Sequence, residues 1–547
     1  MEEEKRKALP IGEDDFRTII EEDYYYIDKT LMIKDFLTSK TKVSLITRPR
    51  RFGKTLNMTM LRDFFDITQD SRVIFDGLGI MGTKYAERLN SVPVIYLSLK
   101  ECDGESAEDL KASVAEELVK QYVKYEKCFQ DVDKTDFVYL RYFETLEMLK
   151  TRKLEDLLLK HSLAYLVKAL HAFYSVRPII LIDEYDAPII NAHQLGVRKK
   201  FTSFYATFLT TALKGNTDIS QALLTGIQRV AKESIFSKLN NVKVYNVLSE
   251  KYASFFGLTN DETKLLLKDY GLELNDSVKQ YYDGYSFAGI DIYNPWSILN
   301  YADEKIIKNY WIKTSTNALV QESVLAAEPT FQRAFEKLIK NELVTVGMNL
   351  EASFAELPRT DTLWGLLVSA GYLTVIHENY ELRRFTVRIP NKEIVTEFRE
   401  IVSAYTKLSS QLLLDMLGAL VDGEMDDFLS IYQELVLEST SYYDAKESAY
   451  HMLMLGMVMQ LRDLYTITSN IESGHGRNDI KLESKDTSRP HIIIEFKEGE
   501  DLEKLKQDAL DQIQEKKYYS GLKGDVLCIG IAHDKKKCEL VHRMIIV

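Results

Sequence analysis

Arg48-Pro49-Arg50-Arg51-Phe52-Gly53-Lys54-Thr55 follows the apolar run Val43 to Ile46 and precedes a stretch of helical character. A strand, a tight loop ending Gly-Lys-Thr and a helix together form a cradle for phosphate, because loop N–H groups and the positive helix end face the anion. In such a loop Lys54 reaches the β- and γ-oxygens and the Thr55 hydroxyl ligates Mg²⁺. Arg50, Arg51, Phe52 and Gly53 complete the cradle. One slot departs from the common GxxxxGK[ST] pattern: Arg48 stands where the first glycine is expected. Read alone, the triplet also fits a basic surface turn.

The second half of such a site lies downstream. Arg177-Pro178-Ile179-Ile180-Leu181-Ile182-Asp183-Glu184 reads as a buried strand ending in two carboxylates. Four consecutive aliphatic residues suit a parallel strand covered on both faces. Asp183 is expected to hold Mg²⁺ and Glu184 to polarise the attacking water. Two further runs, Val92 to Leu97 and Gln221 to Gly226, supply core strands. Thr225 or Gln228 at the tip of the latter is placed to sense a γ-phosphate. Arg229 is either a charge stabiliser, in cis or across a subunit interface, or a solvated residue at a helix start. Strands alternating with helical stretches predict an α/β fold with ligands at the carboxyl ends of the strands.

Composition sets bounds. The 547 residues suggest about three domains, and 45% hydrophobic content supports packed cores. No apolar run of about 18 residues predicts a membrane span, and Met1 to Lys7 lacks an apolar signal core. The four cysteines, at 102, 128, 528 and 538, form no zinc pattern. A cytoplasmic location is expected. A formal net charge of −13 argues against a coat for non-specific DNA binding. It leaves room for local basic clusters such as Arg48-Arg50-Arg51 and Lys516-Lys517.

The last hundred residues carry a second constellation. Gly474-His475-Gly476-Arg477-Asn478-Asp479-Ile480 precedes His491-Ile492-Ile493-Ile494-Glu495-Phe496-Lys497, an Asp followed 495 − 479 = 16 positions later by Glu-x-Lys. Residues i and i+2 of a strand share a face, so Glu495 and Lys497 point one way and Phe496 the other. Asp479, at the start of the neighbouring strand, can reach them. Two carboxylates offer hard oxygens to Mg²⁺, which offsets charge on a phosphodiester. Lys497 can orient water or stabilise the pentavalent phosphorus. Glu447, on an upstream helix, is a further candidate ligand; His451 reads as structural. Gln512 and Lys516, one turn apart on a downstream helix, share a face that could meet substrate phosphate. The plainer alternative is an edge-strand charge pair.

Taken in order, these motifs resemble bacterial AAA-ATPase-like proteins with a C-terminal PD-(D/E)xK nuclease-superfamily domain. The likeness also rests on Leu9-Pro10-Ile11-Gly12, Tyr26-Ile27-Asp28-Lys29-Thr30, Leu181 to Asp186, Tyr282-Asp283-Gly284-Tyr285-Ser286-Phe287 and Tyr293-Asn294-Pro295-Trp296-Ser297. The arginine-rich loop is typical of that family. The resemblance implies a P-loop NTPase parallel sheet, a helical middle region and a restriction-endonuclease-like α/β tail. It implies ATP and Mg²⁺ as cofactors and adds a nucleotide role for Asp28 and Lys29. Asn470 stands where relatives are often acidic, which weakens any ligand claim at that position.

The expected domains are 1–250 (ATPase), 251–425 (mostly helical) and 426–547 (nuclease-like). The aromatic loop Tyr281 to Trp296 is expected to pack against the ATPase. The leading functional reading is an ATP-regulated, Mg²⁺-dependent nuclease on DNA, in genome or phage defence, with homo-oligomers open. The alternative is a regulatory ATPase switch whose tail only binds nucleic acid or a partner. A GTP-using signalling role lacks a guanine-reading motif beside a core strand.

Overall fold

The computed structural model describes residues 6–229, 241–311, 331, 334–335, 337–338, 342–350, 359–379, 381–395, 410–439, 447–473, 476–535 and 537–547. The chain divides into two compact units: residues 1–331 with 343–394, and residues 332–342 with 395–547.

The first unit is built on a five-stranded sheet of β1 (Val43–Thr47), β2 (Val94–Ser98), β3 (Ile179–Asp183), β4 (Ala222–Gly226) and β5 (Val242–Tyr245). Every pair in it is parallel, in the order β2-β3-β4-β1-β5. Strands β1, β3 and β4 are buried along their whole length. That suits their mostly aliphatic composition, with polar residues gathered at the carboxyl ends of β3 and β4, since a parallel strand has helices on both faces. The order carries the function: β4 lies between β1 and β3, so the loop after β1 and the acids ending β3 flank the tip of β4.

The P-loop helix Lys54–Phe65 starts at Gly53, whose φ of +76° is left-handed. A Cβ there would meet nothing within 4 Å, so the backbone angle, not space, calls for glycine. Beyond the sheet, the middle region combines helices with two small antiparallel sheets. One joins β6 (Leu258–Thr259), β7 (Tyr285–Phe287) and β8 (Ile290–Tyr293); the other joins β9 (Val344–Gly347), β10 (Thr374–Asn379) and β11 (Arg384–Arg388). The predicted packing of the aromatic loop is observed: Phe52 of the P-loop lies 5.0 Å from Tyr285 and 5.3 Å from Phe287, between ring centroids.

The second unit holds the helices Ser410–Asp422, Met425–Ser439 and Glu447–Val458. They precede a mixed sheet of β12 (Tyr465–Ser473), β13 (Gly476–Ser484), β14 (His491–Glu498), β15 (Asp525–Asp534) and β16 (Lys537–Ile546), in sequential order. Only β14 and β15 run parallel, and their crossover is the helix Leu502–Glu515. This helix lies close on the sheet because β15 carries Gly530: a Cβ there would come within 2.4 Å of Lys506 O. Strand β14 is buried from Ile492 to Phe496. Among the described residues, no helix is long and apolar enough to cross a membrane.

Candidate functional sites

At the carboxyl end of the parallel sheet the two halves of the N-terminal motif meet. The Thr55 hydroxyl donates to Asp183 Oδ2 at 2.6 Å, and the Thr225 hydroxyl donates to Asp183 Oδ1 at 2.5 Å. The Glu184 amide adds a third hydrogen bond to Asp183, at 3.1 Å. Asp183 is fully buried; burial first, then the negative charge of Glu184, raises its pKa. Lys54 Nζ donates to the carbonyls of Pro49 (3.1 Å) and Arg48 (3.3 Å) and lies 3.4 Å from Glu184 Oε1. Lysine, threonine and both acids therefore converge as the sequence predicts.

Several residues take specific places around this centre. Thr225, read as a γ-phosphate sensor, is hydrogen-bonded to the Asp183 carboxyl. Phe52 is fully buried, with its ring packed against Tyr285 and Phe287. Arg48 is also buried, with Nη1 donating to Thr47 O (2.8 Å) and Tyr245 O (3.1 Å). It ties the loop's first residue to β5, which explains how the missing glycine is tolerated. Arg50 and Arg229 are half-buried beside these elements. Asp28 and Lys29, given a nucleotide role by resemblance, are committed elsewhere. Asp28 accepts from Thr30 and from the Gly79 amide (2.6 Å); Lys29 donates to Ser254 O (2.7 Å) and pairs with Glu262 (2.6 Å).

Asp186 has no role assigned from sequence. It is fully buried and its Oδ2 accepts from the amides of Ile227 and Gln228, both at 2.9 Å, so it fixes the chain leaving β4. Burial, then Glu184, pushes its pKa up to about 7. The available signal was its place at the end of the Leu181 to Asp186 stretch, three residues after Asp183.

In the second unit the ladder between β13 and β14 covers only Ile480–Leu482 and Ile492–Ile494. Just beyond it, carboxylates replace carbonyls as acceptors. The Asp479 amide donates to Glu495 Oε2 at 3.1 Å, and the Phe496 amide donates to Asp479 Oδ2 at 2.8 Å. Lys497 Nζ lies 3.9 Å from Glu495 Oε1. Glu495 is 2% exposed, and burial raises the pKa of Asp479, against the lowering effects of the Phe496 amide and Lys497. The three residues meet as predicted.

Gln512 is placed differently from expectation. Its side-chain amide donates to Glu495 Oε1 and, at 3.0 Å, contacts the Tyr518 hydroxyl. It therefore orients the acid, while Lys516 is exposed. His451 is structural as expected but specific: its Nε2–H faces the Asp479 carbonyl at 3.1 Å and Ser469 Oγ at 2.9 Å. A carbonyl only accepts, so that nitrogen carries the proton. Glu447 opens the helix Glu447–Val458, but its side chain lies outside the described residues, as does that of Asn470. Among the described residues no group of three His, Cys, Asp or Glu side chains forms a ready cation cage. Two carboxylates are nonetheless what Mg²⁺ commonly takes from protein, with water filling the remaining positions.

The parallel sheet with Thr55 on Asp183 defines a P-loop NTPase-like module, and the mixed sheet with Asp479, Glu495 and Lys497 a restriction-endonuclease-like one. Residues 10–236 match the family model described as a predicted AAA-ATPase, and residues 445–543 match that of the PD-(D/E)XK nuclease superfamily. The chain is similar to an uncharacterised protein in the vnfD 5′ region of Azotobacter chroococcum mcd 1, 26% identical over 402 residues, which make up 72% of this chain and 70% of that protein. The chain thus has an ATPase-plus-nuclease-like architecture.

Proposed function

We propose that the protein is an ATP-regulated, Mg²⁺-dependent nuclease acting on DNA. The observation that carries this reading is the meeting of Asp479, Glu495 and Lys497 where β13 and β14 part, in a chain that also pairs Thr55 with Asp183. In the N-terminal site Lys54 binds the triphosphate, Thr55 and Asp183 hold Mg²⁺, and Glu184 positions the attacking water. In the C-terminal site Asp479 and Glu495 hold Mg²⁺, which when bound offsets charge on the phosphodiester. Lys497 places its ammonium beside the scissile phosphate or its water, and Gln512 keeps Glu495 in one orientation. Nucleotide occupancy at Lys54 governs access of DNA to the second site. A cytoplasmic location and a part in genome or phage defence belong to the same proposal; the latter rests on family resemblance alone.

A second reading is a regulatory ATPase whose tail binds nucleic acid without cutting it. The hydrogen bonds to Glu495 from the Asp479 amide and Gln512 favour it, since each carboxylate oxygen already has one donor that competes with a cation. Incubating purified protein with Mg²⁺ and a panel of DNA and RNA substrates, with and without ATP, separates the two. Cleavage that depends on both Mg²⁺ and Lys497 supports the first; ATP hydrolysis with no cleavage of any substrate supports the second.

A further inference from the structure

Between Arg48 and Phe52 the phosphate loop contains no glycine, so free backbone does not give it its shape. The shape is held from outside. Arg51 sits at φ +69°, a left-handed angle unusual for a residue with a side chain. Its guanidinium lies 3.8 Å from the ring centre of Trp296. The Arg48 guanidinium lies 5.2 Å from the Phe287 ring, and Phe52 packs on that same ring. Trp296 is itself fixed by its indole N–H, which donates to Tyr310 O at 2.7 Å. Gly257 lets the chain pass close behind Phe52: a Cβ there would lie 2.9 Å from Phe52 Cδ1.

Filling a core accounts for Phe52, which is fully buried. It does not account for Arg51, an exposed cation in a strained conformation stacked on a half-buried indole. Such strain persists only where the surroundings over-determine it, and the cation–π contact supplies that constraint. The strained angle has a use. Left-handed angles at Arg51 and Gly53, on either side of Phe52, are of the kind that lets loop N–H groups line an anion nest.

We propose that the hairpin Tyr285–Tyr293, together with Trp296, is part of the nucleotide site: its rings hold the loop in its phosphate-receiving shape and thereby set nucleotide affinity. This rests on the loop being a triphosphate site, as proposed above. Trp296 and Phe287 are positioning residues, acting through Arg51 and through Arg48 and Phe52. The role also accounts for an aromatic segment so far from the loop in sequence.

The test measures Mg-ATP binding by titration calorimetry and steady-state ATP hydrolysis on the full chain. It compares wild type with Trp296→Ala, Trp296→Phe and Phe287→Leu. Trp296→Ala is expected to raise Kd and KM about tenfold, the size of one lost cation–π contact, with kcat little changed. Trp296→Phe keeps a ring for Arg51 but loses the hydrogen bond to Tyr310, and is expected to bind Mg-ATP several-fold more tightly than Trp296→Ala, which general loss of stability would not allow. Phe287→Leu is expected to weaken binding in the same way. Trp296→Ala that binds Mg-ATP as tightly as wild type, with unchanged KM, overturns the inference even where Phe287→Leu fails to fold. Wild type that binds no nucleotide overturns the underlying assignment of the site, so the two failures are told apart.

Discussion

The Asp479 amide donates to Glu495 Oε2 at 3.1 Å, so a backbone hydrogen bond fixes the two C-terminal acids relative to each other. Glu495→Gln keeps an oxygen able to accept that bond while removing the charge. Cleavage is expected to fall about 100-fold or more, as for loss of a preorganised charge at a reacting phosphate. The thermal midpoint should stay near that of wild type, because one oxygen still accepts from the Asp479 amide and the Gln512 amide can turn over to accept from the new NH2 group. Paired cleavage assays and thermal melts check both parts.

Gln512 acts on the chemistry through Glu495. Gln512→Ala is expected to lower cleavage about 10- to 100-fold, the usual range for residues that orient a metal ligand. ATP hydrolysis by the same variant should be unchanged. An equal loss of both activities would point to a general structural defect instead.

Gly530 tests the packing that brings Gln512 to the site. Strand β15 pairs it with Glu495, and an added methyl would press on Lys506 O at 2.4 Å and Leu510 N at 2.7 Å. Gly530→Ala should cost about 1–3 kcal/mol, as overpacking does, and reduce cleavage with it. Chemical denaturation followed by circular dichroism measures the first effect.

The acid cluster at the nucleotide site predicts a pH dependence. Asp186 has its folded pKa raised to about 7, above the ordinary 3.8. Between those values the folded chain binds more protons than the unfolded one, so this group's contribution to stability falls as pH rises from about 4 to about 7. Above that window it is flat. Asp186→Asn retains the acceptor for Ile227 and Gln228 and cannot ionise, so this part of the slope should disappear. Melting midpoints of the cation-free protein across pH 4 to 8 read it directly.

What the sequence could and could not disclose follows from the range of each interaction. Lys54, Thr55 and Asp183 were legible because strand, loop and helix impose a local pattern on each half of the site. Asp479, Glu495 and Lys497 were legible because two adjacent strands and a period of two fix their faces. Arg48 was visible only as a broken motif, since its partners Tyr245 and Phe287 lie about 200 residues or more away in the chain. Asp186 depends on β4 delivering the amides of Ile227 and Gln228, and the strand order β2-β3-β4-β1-β5 has no local signature. Gln512 was placed on the correct helical face, but its partner was set by how closely Gly530 lets that helix approach the sheet.

The central claim is that one chain carries two chemically separate sites, for triphosphate at Lys54 and for phosphodiester at Lys497. The most direct measurement follows supercoiled-plasmid cleavage and ATP hydrolysis together, in Mg²⁺, for wild type and Lys497→Ala. We expect the variant to hydrolyse ATP at the wild-type rate and to leave the plasmid intact. Plasmid cut by Lys497→Ala as fast as by wild type would contradict the account.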